Sequence, residues 1–309
     1  MEKAKVYFTK EISPAALVRL YEALGVEVSG KVGVKISFGE PGNPNYLKPE
    51  LIKDLVEKVH GNFIEGNTAY GGGRGDTASH LKVAEEHGFT KLAPVDILDA
   101  DGEMELPVKN GKNIDVDPVG KNLANYEYLI NLAHFKGHEV AGFGGVLKNQ
   151  SIGIASVAGK AYIHTAGATR DAEKFMQCWT PTPPEDIDIE AIQDNFLESM
   201  AEAAKAVSDY MREHTGHEHP ILYINVLNNL SLSCDCAAEP QAVRMADLGM
   251  MASLDPVALD QASIDMVAAA DDPGREEFMA QFEQRNAQHT LDYAEEIGLG
   301  TKQYELITL

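Results

Sequence analysis

The chain has 309 residues, 44% of them hydrophobic and 24% charged, with a formal net charge of −22. That length builds one large or two ordinary domains without disulfide or metal staples. The charge argues against binding nucleic acid through its phosphates and opposes adsorption to anionic membranes, although a few local lysines and arginines can reverse the potential inside one cleft. No signal peptide or membrane-spanning run is visible, and three cysteines are too few for a disulfide framework, so a reducing cytoplasm is expected.

Val6 to Phe8 reads as a first strand, and Ser13-Pro14 opens a helix that ends near Gly25. Lys31 to Ser37 is a β-branched strand running into a Gly/Pro-rich loop, Phe38 to Tyr46. Pro49 starts a second helix, stopped by Gly61. Asn62 to Glu65 is a short strand, Gly66 to Asp76 a loop, and Thr77 to Gly88 a helix, followed by a strand at Val95 to Leu98. This βαβαβαβ order argues for an α/β fold, with parallel or mixed sheets covered by helices. A polar, proline-containing linker or insertion is expected near 169–188. It separates an amphipathic helix, Ile189 to Met211, from what precedes it. A strand at Ile221 to Leu227, another at Leu248 to Ser253, a helix opened by Asp255-Pro256 and a final strand at Tyr304 to Thr308 complete the chain. Two lobes, 1–125 and 126–309, are expected to flank a cleft.

The stretch from Leu129 to Ala166 concentrates the chemistry. An apolar run of buried-strand length is followed by His134, Lys136 and His138 at alternate positions. A glycine-dense turn (Gly142, Gly144, Gly145) precedes a buried-looking segment carrying Lys148, Asn149 and Gln150. Gly153 and Gly159 lead to Lys160 and His164. Ionisable side chains in an otherwise apolar segment must be paired, solvated or used, and strand ends are where ligands collect. Taken singly, each of these residues has an ordinary structural reading. As a group they mark the floor of an active site.

Three further features belong with that stretch. The loop Gly71-Gly72-Gly73-Arg74-Gly75-Asp76-Thr77 offers amides and a bidentate arginine to an anion, with Asp76 or Thr77 as a helix cap. Lys35 lies within a strand, so it either snorkels at a sheet edge or reaches a cleft. Cys234-Asp235-Cys236 places two thiolates where they could share one soft metal, or it is simply a pair of small half-buried residues. The cluster His214, His217 and His219 reads as a solvated loop.

Several of these pieces together resemble the DUF362 family over nearly the whole chain. They are Val32-Gly33-Val34-Lys35, Arg74…Thr77…His80, His134-Phe135-Lys136-Gly137-His138 with Gly144-Gly145 and Lys148-Asn149, the Cys-Asp-Cys element, and Ala252 to Ala258 with Asp260-Gln261-Ala262. Many relatives carry a ferredoxin-type insertion before the long helix. The corresponding region here has one cysteine, Cys178, so its [4Fe–4S] clusters are expected to be missing. The pattern His138-x-x-Ala141-Gly142-Phe143-x-Gly145-x-Leu147-Lys148, then His164, is also similar to nickel-dependent lactate racemases. That likeness implies a nickel-pincer nucleotide tethered at Lys148, nickel ligation by His164 and acid/base work by His138. The Cys-Asp-Cys element is not part of the racemase pattern.

The resulting expectation is an enzyme using a divalent metal or a metallo-nucleotide for proton or hydride transfer on a small hydroxy or oxo acid. His138, His134 and Lys136 are its catalytic candidates. Lys148, Arg74 and Lys35 are its cofactor-binding candidates, and His164, Cys234 and Cys236 its metal candidates. One alternative is an iron–sulfur or other cysteine-ligated redox protein with a protein partner. Another is a non-catalytic binder of an anionic metabolite. Homo-oligomerisation is open.

Overall fold

The structure is a computed structural model. It describes residues 3–178, 180–185, 187–188, 192–235, 239 and 241–309. The strands in chain order are β1 (Ala4–Thr9), β2 (Val32–Lys35), β3 (Asn62–Glu65), β4 (Val95–Ile97), β5 (Glu103–Pro107), β6 (Val116–Gly120), β7 (Tyr128–His134), β8 (Lys136–His138), β9 (Gly142–Gly144), β10 (Ile221–Leu227), β11 (Leu230–Ser231), β12 (Val243–Met245), β13 (Gly249–Ser253) and β14 (Tyr304–Thr308). The helices are α1 (Pro14–Ala23), α2 (Pro49–Lys58), α3 (Thr77–Glu86), α4 (Val146–Ile154), α5 (Val157–His164), α6 (Ala172–Gln177), α7 (Ile192–Thr215), α8 (Pro256–Ala269), α9 (Arg275–Gln284) and α10 (Gln288–Glu296).

One mixed sheet dominates, in the order β14-β1-β13-β10-β7-β2-β3-β4, and strands from both halves of the chain belong to it. All its neighbours pair in parallel except β13, which runs against β10 and β1. Side chains alternate across the central strands. Val32, Val34, Tyr128, Ile130, Leu132, Leu222, Ile224 and Val226 pack in a core that includes Leu17, Leu20, Ile52 and Leu55 of α1 and α2. Leu129, Ala133, Ile221 and Tyr223 face the other way, in a core with Leu147 of α4, Ala204 of α7 and Leu259 of α8. Strands buried on both faces read as continuous apolar runs, which is why β7 and β10 are legible in sequence.

From β2 the chain steps to β3 and β4 on one side. From β7 it steps to β10 on the other. The adjacent carboxyl ends of β2 and β7 are therefore a topological switch point, the place where open α/β sheets bind ligands.

Local capping sets the helix starts. Ser13, Asp76 and Asp255 accept backbone N–H groups at the starts of α1, α3 and α8. Elsewhere the structure departs from the sequence reading. The hairpins β5–β6 and β8–β9 are additional, and Gly153 and Gly159, given no element in the sequence reading, lie on the helices α4 and α5. The 169–188 segment is more than a surface linker: it contains α6, and Cys178 and Ile187 are buried in a core with Phe196 and Met200 of α7. Among the described residues no helix is long and apolar enough to cross a membrane.

α4 is fixed to the sheet by a buried polar layer. Asp260 accepts the amides of Val146 and Leu147, each at 3.0 Å, and the side-chain amide of Asn225 at 2.8 Å. Asn131 donates to the Val146 carbonyl, and Asn149 donates to Asn131 and to the Lys35 carbonyl. Gly145 precedes the helix because a Cβ there would lie 2.2 Å from the Asp260 carboxylate.

Replacing Asp260 with alanine strands three donors in a dry layer. The Asp260→Ala protein should lose roughly 2–4 kcal/mol in urea unfolding. Lys82→Ala, whose side chain stands in solvent, should stay within about 0.5 kcal/mol.

Candidate active site

A cavity of about 390 Å³ opens at the switch point. Lys35 and Ser37 come from the end of β2 and its following loop, and Glu65 and Gly66 from the end of β3. His134, Lys136 and His138 come from β7 and β8, Lys148 and Asn149 from α4, and Lys160 and His164 from α5. Arg74, Tyr70 and Cys234 complete the wall. Eight of the nine sequence candidates, Lys35, Arg74, His134, Lys136, His138, Lys148, His164 and Cys234, thus line one space. The ninth, Cys236, lies outside the described residues. The sequence's alternatives for Lys35 separate here. It sits on an interior strand, 1% exposed, with its ammonium at the cavity.

The cationic side chains divide into two kinds. Arg74 is neutralised by the chain itself. Its Nε donates to Glu40 at 2.8 Å, Nη1 to Glu65 at 2.7 Å and Nη2 to the Tyr70 hydroxyl at 2.9 Å. Gly73 also donates its amide to Glu40. The glycine–arginine loop that reads as an anion site therefore holds its anion internally. His80 closes the same network against Glu65 and Asn67. Burial raises the Glu65 carboxyl, but Arg74, His80 and Lys35 outweigh it and hold the group well below the usual carboxylate range. Lys136 is likewise paired with Asp235, which His134 also contacts through Nδ1. The other ring nitrogen of His134 lies 2.6 Å from the Asn228 carbonyl, so neither nitrogen is open to a ligand.

Lys35, Lys148 and Lys160 differ. Among the described residues no carboxylate lies within ion-pairing distance of any of them. Lys35 donates to the Ile36 carbonyl and to Asn149, Lys160 to the Ala155 carbonyl, and Lys148 lies 3.8 Å from the Cys234 sulfur. Desolvation, together with repulsion from neighbouring cations, lowers Lys35 and Lys148 to about 7 and Lys160 to about 8.

The two remaining histidines present opposite chemistry. Nδ1 of His138 accepts from the Val140 and Ala141 amides, which leaves a hydrogen on Nε2. Nδ1 of His164 donates to the Lys160 carbonyl at 2.7 Å, which leaves a lone pair on Nε2. Burial and the nearby lysines keep both rings neutral, pushing His138 well below its ordinary value and His164 to about 4. The His164 ring stacks on Phe196 at 4.9 Å. Gln281 pins the β8–β9 hairpin by donating to the His138, Gly142 and Leu232 carbonyls.

Sequence reasoning missed Glu40, Glu65, Asp235, Asp260 and Gln281 as parts of the site, and noted Lys160 without giving it a role. For Lys160 a signal was present, since it stands one helical turn from His164. His214, His217 and His219 do not converge on a ligand: His214 bonds the Ala124 carbonyl and His217 stacks on Tyr128.

The chain belongs to the DUF362 family, whose model, described as a domain of unknown function, matches residues 32–265. Among solved structures it is similar to the lactate racemase apoprotein from Thermoanaerobacterium thermosaccharolyticum, with 15% identity and a TM-score of 0.41 over 72% of this chain and 50% of that one. It is also similar to a protein from Thermotoga maritima, with 10% identity and a TM-score of 0.43 over 93% of this chain and 59% of that one. It thus spans about half the length of the first and less than two thirds of the second. No curated protein matches it.

The two kinds of cation should answer substitution oppositely. Lys148→Met removes an uncompensated buried charge and should stabilise the ligand-free protein by about 1 kcal/mol or more. Arg74→Met strands two carboxylates and should cost about 3–5 kcal/mol in denaturant unfolding. The lysine values lie below the ordinary 10.5, so the unfolded chain binds more protons above about pH 7. Their contribution to stability therefore rises with pH from about 7 towards 10, and it falls over that same window as pH is lowered, levelling off below about 7. Thermal melts of the ligand-free protein from pH 6.5 to 9.5 should show this slope, reduced in Lys148→Met.

Proposed function

We propose that this DUF362-family chain is an enzyme that holds a metallo-nucleotide cofactor and transfers a proton or hydride on a small hydroxy or oxo acid. The observation that carries the reading is the convergence of three lysines without a carboxylate partner and two neutral histidines on one cavity at the switch point. We take this cavity as the cleft between the two halves of the chain.

The donor set decides between kinds of metal group. Among the described residues no three His, Cys, Asp or Glu side chains are gathered to hold an ion. A metal bound by protein ligands alone is therefore the poorer fit. A metal carried inside an organic anion needs only one protein ligand and a positive wall, and both are available. His164 would supply the ligand through Nε2, the atom its bond to Lys160 leaves open. Lys148 would anchor the organic part, because an amine near pH 7 is substantially neutral and nucleophilic. Lys35 would balance its charge. Arg74, already committed to Glu40 and Glu65, would act as a positioning residue for the loop.

When bound, such a cofactor supplies an acceptor for an electron pair. The chain's own work is to position the acid and handle its proton. His138 offers an N–H to a substrate oxygen, and its backbone partners keep that tautomer in place. Lys136, its charge met by Asp235, would turn a remaining N–H towards a substrate carboxylate. Asp235 and His134 hold Lys136 in place.

The iron–sulfur alternative has less support. The chain has three cysteines, and Cys178 is buried in a different cluster, with Ile114 and Phe196. The lysines alone would also suit a non-catalytic anion binder. The open nitrogen atoms of His138 and His164 favour chemistry over simple capture.

The test uses protein isolated from the organism that makes it. Metal analysis should find about one metal per chain, and intact mass should show an organic adduct that is lost in Lys148→Ala, with metal lost in His164→Ala. Native-source protein with neither metal nor adduct would overturn the reading.

A further inference from the structure

We propose that Lys35 and Lys160, flanked by Gly66 and Gly153, form a phosphate-monoester subsite at the inner end of the cavity, so that the molecule held there is phosphorylated and its reacting end lies at Lys148, His138 and His164. The assignment rests on the preceding reading of the cavity as an anion site, and it adds which end takes which group.

Depth is the first reason. Lys35 is 1% and Lys160 6% exposed, whereas Lys148 and His164 are only partly buried. The second is the close approach of backbone to the ammonium groups. A Cβ on Gly153 would lie 2.6 Å from the Lys35 nitrogen, and one on Gly66 would lie 2.9 Å from the Lys160 nitrogen. Glycine at both places keeps backbone close to the two charges without a side chain to crowd them. The third is donor arithmetic. Lys35 uses two of its N–H groups on Ile36 and Asn149, and Lys160 uses one on Ala155. The hydrogens left over match the three terminal oxygens of a phosphate ester.

Charge selects the same ligand. Asp99, Glu65 and Asp117 are the acids whose charge acts on Lys160, and Glu65 is the one that acts on Lys35. Glu65 is already held by Arg74, His80 and the Phe38 amide. Asp99 accepts the Asn67 and Val157 amides. Asp117 has no hydrogen-bond partner among the described residues, and burial pushes it up to about 8, so it is neutral at pH 7. Two cations thus remain for one ligand group, which fits a dianion better than a carboxylate. A planar carboxylate is best met by an arginine fork, and here the fork is occupied.

The phosphate could belong to a nucleotide cofactor or to a small phosphorylated substrate. Calorimetric titration of the full chain at pH 6.5 with adenosine monophosphate, glycerol phosphate and unphosphorylated glycerate separates the possibilities. One phosphate ester should bind at least about 10-fold more tightly than glycerate, and which one does identifies the source. Lys35→Gln and Lys160→Gln should each weaken that ester by about 10- to 100-fold, the size of a lost charge-assisted contact. Lys148→Gln, at the reacting end, should weaken it less than either of these, and Lys82→Gln, in solvent, should change it by less than about 3-fold. Gly153→Ala, whose Cβ would push the Lys35 ammonium aside while keeping every charge, should weaken it as well, with melting curves confirming that each variant is folded. Phosphate binding that survives Lys35→Gln and Lys160→Gln but disappears in Lys148→Gln overturns the subsite and leaves the anion cavity standing. Failure of all three probes to bind the unaltered chain overturns both.

Discussion

The carboxylate of Asp260 beneath the first turn of α4 is the contact on which the site depends. α4 carries Lys148 and Asn149, and α5 follows it within three residues carrying Lys160 and His164. A helix end buried on a sheet must find acceptors for its first amides. Here they come from a third element, α8, 113 and 114 residues away in sequence. Asn225 and Asn131 extend the same polar layer across β10 and β7. Desolvation raises Asp260 to about 6 while the bonds from Asn225 and the α4 amides pull the other way, so the carboxylate is charged at neutral pH because those donors face it.

The cavity that α4 and α5 border is cationic inside a chain of net charge −22. The acids that could neutralise the cavity are committed elsewhere. Glu40 and Glu65 are bound to Arg74 and its loop, and Asp235 to Lys136 and His134. Buried pairs of this kind contribute little net stability but break at high cost, so they fix geometry more than they add free energy. Their positional effect here is to leave Lys35, Lys148 and Lys160 as the groups whose charge is unanswered by the chain.

Much of the frame is readable from sequence because its signals are local. Ser13, Asp76 and Asp255 stand at helix starts, and the apolar runs of β7 and β10 announce strands buried on both faces. The gathering of histidines and lysines after β7 is legible for the same reason. What could not be read depends on contacts distant in sequence. Nothing around Asp235 or Asp260 shows that one meets Lys136 and the other α4. The helices α4 and α5 are not announced in sequence, because glycine usually ends a helix. Gly153 and Gly159 instead lie inside helices where a Cβ would strike Lys35 and the Pro118 carbonyl, so packing overrides propensity. Arg74 misleads in the other direction: its loop has the composition of an anion site, and the anion it binds is Glu40.

The unanswered lysines also set how the cavity must respond to whatever enters it. Lys35 and Lys148, near 7, and Lys160, near 8, are divided between charged and neutral forms around neutral pH. An anion placed among them favours the charged forms, so its arrival draws protons from solvent, and its affinity declines as pH rises past the lysines' own values. The same coupling runs in reverse. A ligand that leaves returns those protons, and an amine freed of its proton becomes a nucleophile in a site where the neighbouring imidazoles are neutral. Burial without a carboxylate partner therefore does two things at once. It favours negative charge in whatever occupies the cavity, and it keeps the lysines close to their neutral form.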